Sequence, residues 1–124
     1  GLGAWIVDGL PTEGLGLAGA ALVFALLTTV LSNFMSNTAA ANILVPLGAA
    51  VGMAFSGSSG LLPVVIALSA STAMCLPIAT PPNAIAYSTG ELHNRSFLAP
   101  GLALALTTPL VTVAWVGWLL PRLG

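Results

Sequence analysis

Two short polar stretches interrupt an otherwise apolar chain, and neither of them carries a charge. They are residues 32–38, with the sequence SNFMSNT, and residues 79–83, with the sequence ATPPN. A helix that ends leaves unpaired backbone carbonyls, which are hard oxygen ligands for a small cation. A helix that begins leaves unpaired amides at the positive end of its dipole, which suit an anion. If each stretch separates two helices, the pair could bind a cation and an anion together.

The residue types within each stretch predict where one helix ends and the next begins. In the first stretch we expect free carbonyls near residues 29–32, followed by an N-cap at Asn37 or Thr38. In the second stretch Thr80 is the expected N-cap and Pro81 the first helical residue, where a missing N–H is harmless. Alternatively, the hydroxyls could bond to their own helix, the asparagines could join neighbouring helices, and the prolines could be simple kinks.

The composition of the whole chain indicates a membrane protein. Of its 124 residues, 57% are hydrophobic and 4% are charged, against roughly 25% charged in an average soluble protein. Two arginines, no lysine and a net charge of −1 exclude a basic surface for nucleic acid. The single histidine, His93, is far in sequence from the single cysteine, Cys75, so no nucleophile–base pair is predicted. We therefore expect an integral membrane protein that is not an enzyme and needs no cofactor.

Four apolar segments must position the two stretches, and they are residues 14–31, 39–55, 61–78 and 98–120. Since a spanning helix needs about 20 apolar residues, only the last segment is long enough. Residues 56–60, SGSSG, and 91–97, ELHNRSF, are predicted surface loops. Non-helical backbone is tolerated at membrane depth only where it is buried in protein or lines a wet cavity. The two uncharged stretches are therefore interpreted as the tip of a re-entrant hairpin and the gap in a discontinuous helix, an arrangement typical of secondary transporters.

The same stretches carry motifs of a known family. Ser36-Asn37-Thr38, within SNFMSNTAAANILVPL, resembles the Ser-Asn-Thr hairpin-tip motif of the divalent anion/sodium symporter family, whose members carry dicarboxylates, citrate or sulfate. Residues 70–86, ASTAMCLPIATPPNAIA, resemble the family's signature around its second broken helix. They differ at Met74, where an aromatic residue is usual, and at Ala86, where valine is usual. Both differences keep the position apolar, so the resemblance stands.

The resemblance covers essentially the whole chain but only the last part of the family's fold. It implies an all-α integral membrane protein, a partial transporter fold that forms the C-terminal fragment of a transporter. Its parts would be a re-entrant helical hairpin with the Ser-Asn-Thr tip (14–55), a broken transmembrane helix (61–90) and a terminal transmembrane helix (98–120). A first inverted repeat would complete the full-length protein, a homodimer in the cell (inner) membrane. The hairpin would open to the outside, residues 91–97 would face the cytoplasm, and transport would be elevator-like.

The resemblance also implies roles for individual residues. The pocket for a small anionic substrate, which is a di- or tricarboxylate such as succinate or citrate, or sulfate, would be formed by Asn37, Thr38, Thr80 and Pro81. Sodium, the coupling ion, would bind to the Ser32 hydroxyl, the Met35 carbonyl, Asn37 and the Ala79 carbonyl. These roles agree with the expectation that helix ends bind the cation and helix starts bind the anion.

Other functions remain open on the sequence. One is a sodium-independent dicarboxylate exchanger of the same family, although the hydroxyl at Ser32 favours the symporter, because an exchanger could replace sodium with a cationic side chain there. Another is a structural membrane subunit that transports nothing and uses its polar stretches for packing. An intramembrane enzyme is more distant, since it would need catalytic residues elsewhere. A second hairpin with its own Ser-Asn-Thr in the same gene would exclude the structural subunit.

Overall fold

The computed structural model describes residues 16–55 and 60–123. Five α-helices follow one another there: α1 (Leu17–Phe34), α2 (Asn37–Gly52), α3 (Leu61–Ala70), α4 (Pro81–Ser88) and α5 (Asn94–Leu123). No strand occurs in these two ranges, so the all-α prediction is confirmed for them. Residues 14 and 15 of the predicted hairpin, and residues 56–59 of the predicted surface loop, lie outside the described part of the chain.

A two-residue break separates α1 from α2 inside the first polar stretch. Met35 is extended, with φ −136° and ψ 170°, and its N–H closes α1 by donating to the carbonyl four residues earlier at 3.1 Å. Ser36 is the N-cap of α2, and its hydroxyl accepts from the Ala39 N–H at 3.1 Å. The prediction of an N-cap at Asn37 or Thr38 is therefore wrong by one or two residues. Serine in extended backbone caps as well as either of them, and it comes first in the chain.

A non-helical segment, residues 71–80, separates α3 from α4, and we call it the linker. At its end Thr80 is extended, with φ −137° and ψ 150°, and its hydroxyl accepts from the Asn83 N–H at 3.4 Å. Pro81 follows as the first helical residue, where it sacrifices no hydrogen bond. The predicted N-cap and helix start are thus confirmed.

The start of the linker lies within a segment whose apolar sequence gave no sign of a break. The predicted apolar segment 61–78 continues past Ala70, yet α3 ends there. The N–H and the hydroxyl of Thr72 both donate to the Ser69 carbonyl, at 3.2 and 2.8 Å. This local turn takes the carbonyl that a continuing helix would use, because threonine side chains compete with helical hydrogen bonding.

The hydrophobic core lies between α1, α2, α3 and α5. α3 is the central element, since it packs against each of the other three helices. The core includes Phe24 from α1, Leu44 and Val51 from α2, Leu62, Val65 and Ile66 from α3, and Val116 from α5. Small residues allow close approach of the backbones: a Cβ atom at Gly48 of α2 would overlap Cδ1 of Ile66.

α4 stands apart from this core. Within the described ranges none of the other four helices packs along it, and none of its residues is buried. Its tie to α5 is the ring of Tyr87, which meets the ring of Phe97 edge-on with centroids 6.2 Å apart. Ile85 is 69% exposed, so the helix presents apolar surface that nothing in the described structure covers.

α5 begins at Asn94, so the predicted surface loop 91–97 is wrong from that residue onward. The Ser96 N–H donates to the His93 carbonyl at 2.8 Å, which starts the helix inside a polar sequence. α1 and residues Asn94–Arg122 of α5 are long and apolar enough to cross a membrane, so the expectation that only the last apolar segment is long enough is wrong for α1. At 1.5 Å per residue α5 is about 45 Å long, which exceeds a hydrocarbon core of about 30 Å and leaves its polar ends room outside it.

Candidate functional site

Asn33 connects the two polar regions of the chain. It lies in the last turn of α1 and is 7% exposed. Its Oδ1 accepts from the backbone N–H of Cys75, in the linker, at 2.9 Å, and its Nδ2 donates to the Thr29 carbonyl at 2.8 Å. Every other side-chain hydrogen bond among the described residues stays within four residues of sequence. The end of the first helix is therefore tied directly to the gap between α3 and α4.

α5 also contacts this part of the linker, at Gly101. A Cβ atom at Gly101 would lie 2.5 Å from Cys75 Cα and 2.7 Å from both Cys75 N and the Met74 carbonyl oxygen. Such distances are closer than van der Waals contact with backbone atoms, so only glycine allows this approach. The backbone at Met74 and Cys75 is thus held between a hydrogen bond to α1 and direct contact with α5.

The buried hydroxyls of α1 bond to carbonyls of their own helix. Thr28 and Thr29 each donate to the carbonyl four residues earlier, at 2.6 and 2.9 Å, and Ser32 donates to the Thr29 carbonyl at 3.3 Å. The Thr29 carbonyl also accepts from Asn33, so the expectation of free carbonyls as early as residue 29 is wrong. Backbone carbonyls without a hydrogen-bond partner therefore begin only in the last turn of α1.

Free carbonyls occur later, at both predicted cation-binding positions. Within the described ranges, no hydrogen bond ends on the carbonyls of residues 32–35 or on that of Ala79. Both the Met35 and the Ala79 carbonyl oxygens can therefore serve as ligands. They lie where α1 has just ended and where α4 has not yet begun.

Two asparagines in these regions carry a buried polar atom without a partner, and a serine within α3 carries a third. In the described part of the chain three such side-chain atoms occur, on Asn37 (Oδ1), Ser69 (Oγ) and Asn83 (Nδ2). An unpaired buried polar atom costs about 1–3 kcal/mol, so a ligand that bonded to either asparagine would stabilise the structure. The acceptor oxygen of Asn37 suits a cation, whereas the donor group of Asn83 suits an oxygen of an anion.

The structure places the predicted site residues in two groups. The first group surrounds the break between α1 and α2 and consists of Ser32, Met35, Asn37 and Thr38. The second group lies at the end of the linker and the start of α4 and consists of Ala79, Thr80 and Pro81. No side-chain hydrogen bond between described residues joins the groups directly. The two groups are linked through the hydrogen bond between Asn33 and Cys75. Asn33 is adjacent to Ser32 in the chain, and Cys75 lies shortly before Ala79.

An apolar groove of about 340 Å³ opens beside this link, between α1, the linker and α5. Its lining includes Asn33 and Cys75, and otherwise consists mostly of large apolar side chains from the two helices, such as Val30, Phe34 and Leu102. The amide of Asn33 is already bonded through both of its polar atoms. The groove therefore lacks free polar groups from that residue, and it is not the place where the structure offers ligands for an ion.

Comparison with known proteins identifies the family. The family model of the sodium:sulfate symporter transmembrane region matches residues 1–123. The chain belongs to this family. The match confirms the resemblance found at Ser36-Asn37-Thr38 and residues 70–86. The matched family and relatives are membrane transporters rather than enzymes.

Relatives of this symporter-family chain occur in bacteria and animals. It is 33% identical to a sodium-dependent dicarboxylate transporter of Staphylococcus saprophyticus, over 98% of this chain and 24% of the relative. It is 30% identical to solute carrier family 13 member 2 of Mus musculus, over 98% and 21%. It is 35% identical to Na(+)/dicarboxylate cotransporter 3 of Rattus norvegicus, over 86% and 18%. The chain thus spans about a quarter or less of the length of these relatives.

The sequence analysis of this symporter-family chain did not predict that Asn33 bonds to the linker. A signal was present: it follows Thr29 by one helical turn and shares its buried face, as expected for an amide that bonds inside the protein. Nothing in the sequence indicated its hydrogen-bond partner. The group that donates is the backbone N–H of Cys75, which any residue except proline would supply.

Proposed function

We propose that this chain is the C-terminal part of a sodium-coupled secondary transporter for divalent anions. The substrate is a di- or tricarboxylate such as succinate or citrate, or sulfate. The observation that carries the proposal is the alignment of 98% of the chain with a sodium-dependent dicarboxylate transporter, inside a family described by sodium:sulfate symport. The ligand groups of the two polar regions support it.

Sodium binds where the helices end. Its ligands are the Ser32 hydroxyl, the Met35 carbonyl, Oδ1 of Asn37 and the Ala79 carbonyl. This set is supported by the two carbonyls that accept no hydrogen bond in the described ranges and by the buried, unpartnered Oδ1 of Asn37. All four ligands are neutral oxygens, which suit a hard monovalent cation without adding net negative charge beside a dianionic substrate.

The anion binds where the helices begin. Asn37 and Thr38 lie in the first turn of α2, where free amides and the helix dipole favour negative charge. α4 begins with Pro81 and Pro82, which carry no N–H, and its next N–H donates to Thr80. This end therefore contributes its dipole and the Thr80 hydroxyl rather than free amides. Sodium that binds first orders both regions and offsets the charge of the dianion, so the anion binds more readily afterwards. This order couples the downhill entry of sodium to uptake of the substrate.

In the membrane, α1 and α2 form a re-entrant hairpin, α3 and α4 form a discontinuous helix, and α5 spans. α3 has ten residues and is about 15 Å long, which is half of a hydrocarbon core of about 30 Å. The linker therefore lies near the midplane, where secondary transporters bind their substrates. The hairpin opens to the outside of the cell (inner) membrane and the turn before α5 faces the cytoplasm.

A first inverted repeat completes the transporter, and two such proteins form a homodimer. The uncovered state of α4 supports this, because a helix with no buried residue in the described structure needs a further element to pack against. The first repeat supplies that element together with its own Ser-Asn-Thr and a further sodium site. The hairpin and the broken helix then move as one body in an elevator-type cycle.

The test is uptake of labelled succinate, citrate and sulfate by proteoliposomes that contain the full-length protein, with and without an inward sodium gradient. The proposal expects sodium-stimulated uptake of at least one anion. Uptake that ignores sodium but requires an anion inside the vesicle would instead identify a dicarboxylate exchanger. No uptake of any of the three anions would favour a structural subunit.

A further inference from the structure

We propose that Asn33 is a positioning residue, which holds the linker against the hairpin tip through the Cys75 N–H and so sets the geometry of the cation site. The inference deepens the proposed function and rests on it, because the ligands that Asn33 positions are the proposed ones. Asn33 itself contacts neither ion nor substrate. Its role follows from where its two hydrogen bonds lead.

The two bonds of Asn33 lead to different parts of the chain. Nδ2 donates to the Thr29 carbonyl at 2.8 Å, which fixes the orientation of the side chain on α1. Oδ1 is thereby aimed away from α1, and it accepts from the Cys75 N–H at 2.9 Å. Because Asn33 is 7% exposed, water does not compete freely for these groups.

The linker has few other constraints: the Ala79 N–H donates to the Leu76 carbonyl at 3.0 Å within the linker itself, and the Ala73 side chain is buried. The linker is not helical, and α4, to which it leads, is not packed along any of the other described helices. Gly101 blocks movement of Cys75 toward α5 by direct backbone contact, but contact alone does not stop movement away from it. The bond from Asn33 supplies the missing constraint, so the linker is restrained from both sides at one residue.

The restraint falls between the two halves of the proposed cation site. Asn33 is adjacent to Ser32 and belongs to the same turn as Met35, while Cys75 precedes Ala79 in the linker. Loss of the bond would let the Ala79 carbonyl drift relative to the ligands of the hairpin tip. Sodium would then have to order the linker as it binds, which lowers its apparent affinity.

Cys75 provides a readout that does not depend on transport. Cys75 is half-buried and its thiol is free, so in full-length protein with any other cysteines replaced this thiol can be alkylated with N-ethylmaleimide at a rate that reports opening of the linker. Asn33→Leu keeps the approximate volume of the side chain but removes the acceptor. We expect Cys75 to be alkylated about tenfold faster, the ratio that corresponds to loss of one buried hydrogen bond. The sodium concentration for half-maximal uptake should rise by about the same factor, with a smaller change in maximal rate.

Two further variants separate positioning from general destabilisation. Asn33→Ser keeps a hydroxyl for the Thr29 carbonyl but is too short to reach Cys75, so it should alkylate fast even if Asn33→Leu fails to fold. Thr29→Val is the matched control, since it removes an equally buried hydrogen bond that stays within α1. It should change alkylation by less than about twofold.

Alkylation of Asn33→Leu and Asn33→Ser at the native rate would overturn the inference, and so would equally fast alkylation of Thr29→Val. The proposed function fails separately, if uptake by the native protein does not respond to sodium. In that case the alkylation rates still decide whether Asn33 positions the linker. Fast alkylation with an unchanged sodium dependence would overturn the link between the linker and the cation site.

Discussion

Oδ1 of Asn33 lies 2.9 Å from the backbone nitrogen of Cys75, although 42 residues separate the two in sequence. The contact joins the end of α1 to the linker between α3 and α4. Both segments carry carbonyl oxygens that accept no hydrogen bond in the described ranges, at Met35 and at Ala79. One buried amide therefore joins the two segments that carry these carbonyls.

The first prediction distinguishes residues that bind sodium from residues that bind only the substrate at the start of α2. Asn37→Ala removes the buried, unpartnered Oδ1 together with the rest of the amide that we propose contacts the substrate, so the apparent affinities for sodium and for substrate should both fall about tenfold. Thr38→Ala, at an exposed position, should chiefly raise the substrate concentration for half-maximal uptake. Titrations of uptake with sodium and with succinate measure both quantities. Unchanged sodium dependence in Asn37→Ala would mean that the cation site is misplaced.

The second prediction concerns the N-cap of α2. Ser36→Ala removes the hydroxyl that accepts from the Ala39 N–H, and the loss of such a cap costs about 1 kcal/mol of stability. Thermal unfolding of the purified protein in detergent should show the decrease, and Ser36→Thr should recover most of it. Ser88→Ala is the control, because that hydroxyl donates to a carbonyl at the exposed end of α4 and caps no helix start. An equal loss in both alanine variants would argue against a capping role.

The third prediction tests the close approach of α5 to the linker. Gly101→Ala places a methyl group 2.5 Å from Cys75 Cα, and the backbone must shift at a cost of about 1–3 kcal/mol. Gly117→Ala, on the same helix, meets nothing within 4 Å and should be neutral or slightly stabilising. Unfolding temperatures of the two variants, measured side by side, provide the comparison. If Gly101→Ala were as stable as Gly117→Ala, α5 would not touch the linker.

The fourth prediction addresses the packing of α2 on α3. Gly48→Ala brings a methyl group into the space of Ile66 Cδ1 and should destabilise the protein by about 1–3 kcal/mol. Ile66→Val removes that δ-carbon and alone costs about 0.5–1.5 kcal/mol. The double variant should be more stable than the sum of the single effects predicts, because each change relieves the other. Strict additivity in the unfolding measurements would contradict the contact.

Local chemistry made several features of the fold predictable. The hydroxyl of Thr80 and the ring of Pro81 determine the start of α4 within a few bonds of themselves, so the N-cap there could be read directly. The cap of α2 was predicted one or two residues late, because Ser36, Asn37 and Thr38 are all good N-caps and their order does not say which is extended. The start of α5 was missed because charge in the sequence suggested a loop.

The sequence by itself determined that the chain is apolar, helical and interrupted at two uncharged places, and its motifs pointed to the symporter family. These properties follow from composition and from interactions that reach at most one helical turn. Only the tertiary structure decided that Asn33 bonds to Cys75 and that Gly101 lies against the same residue. Such contacts depend on how α1, α3 and α5 pack over long sequence separations, and the groups that meet include backbone atoms common to every residue type.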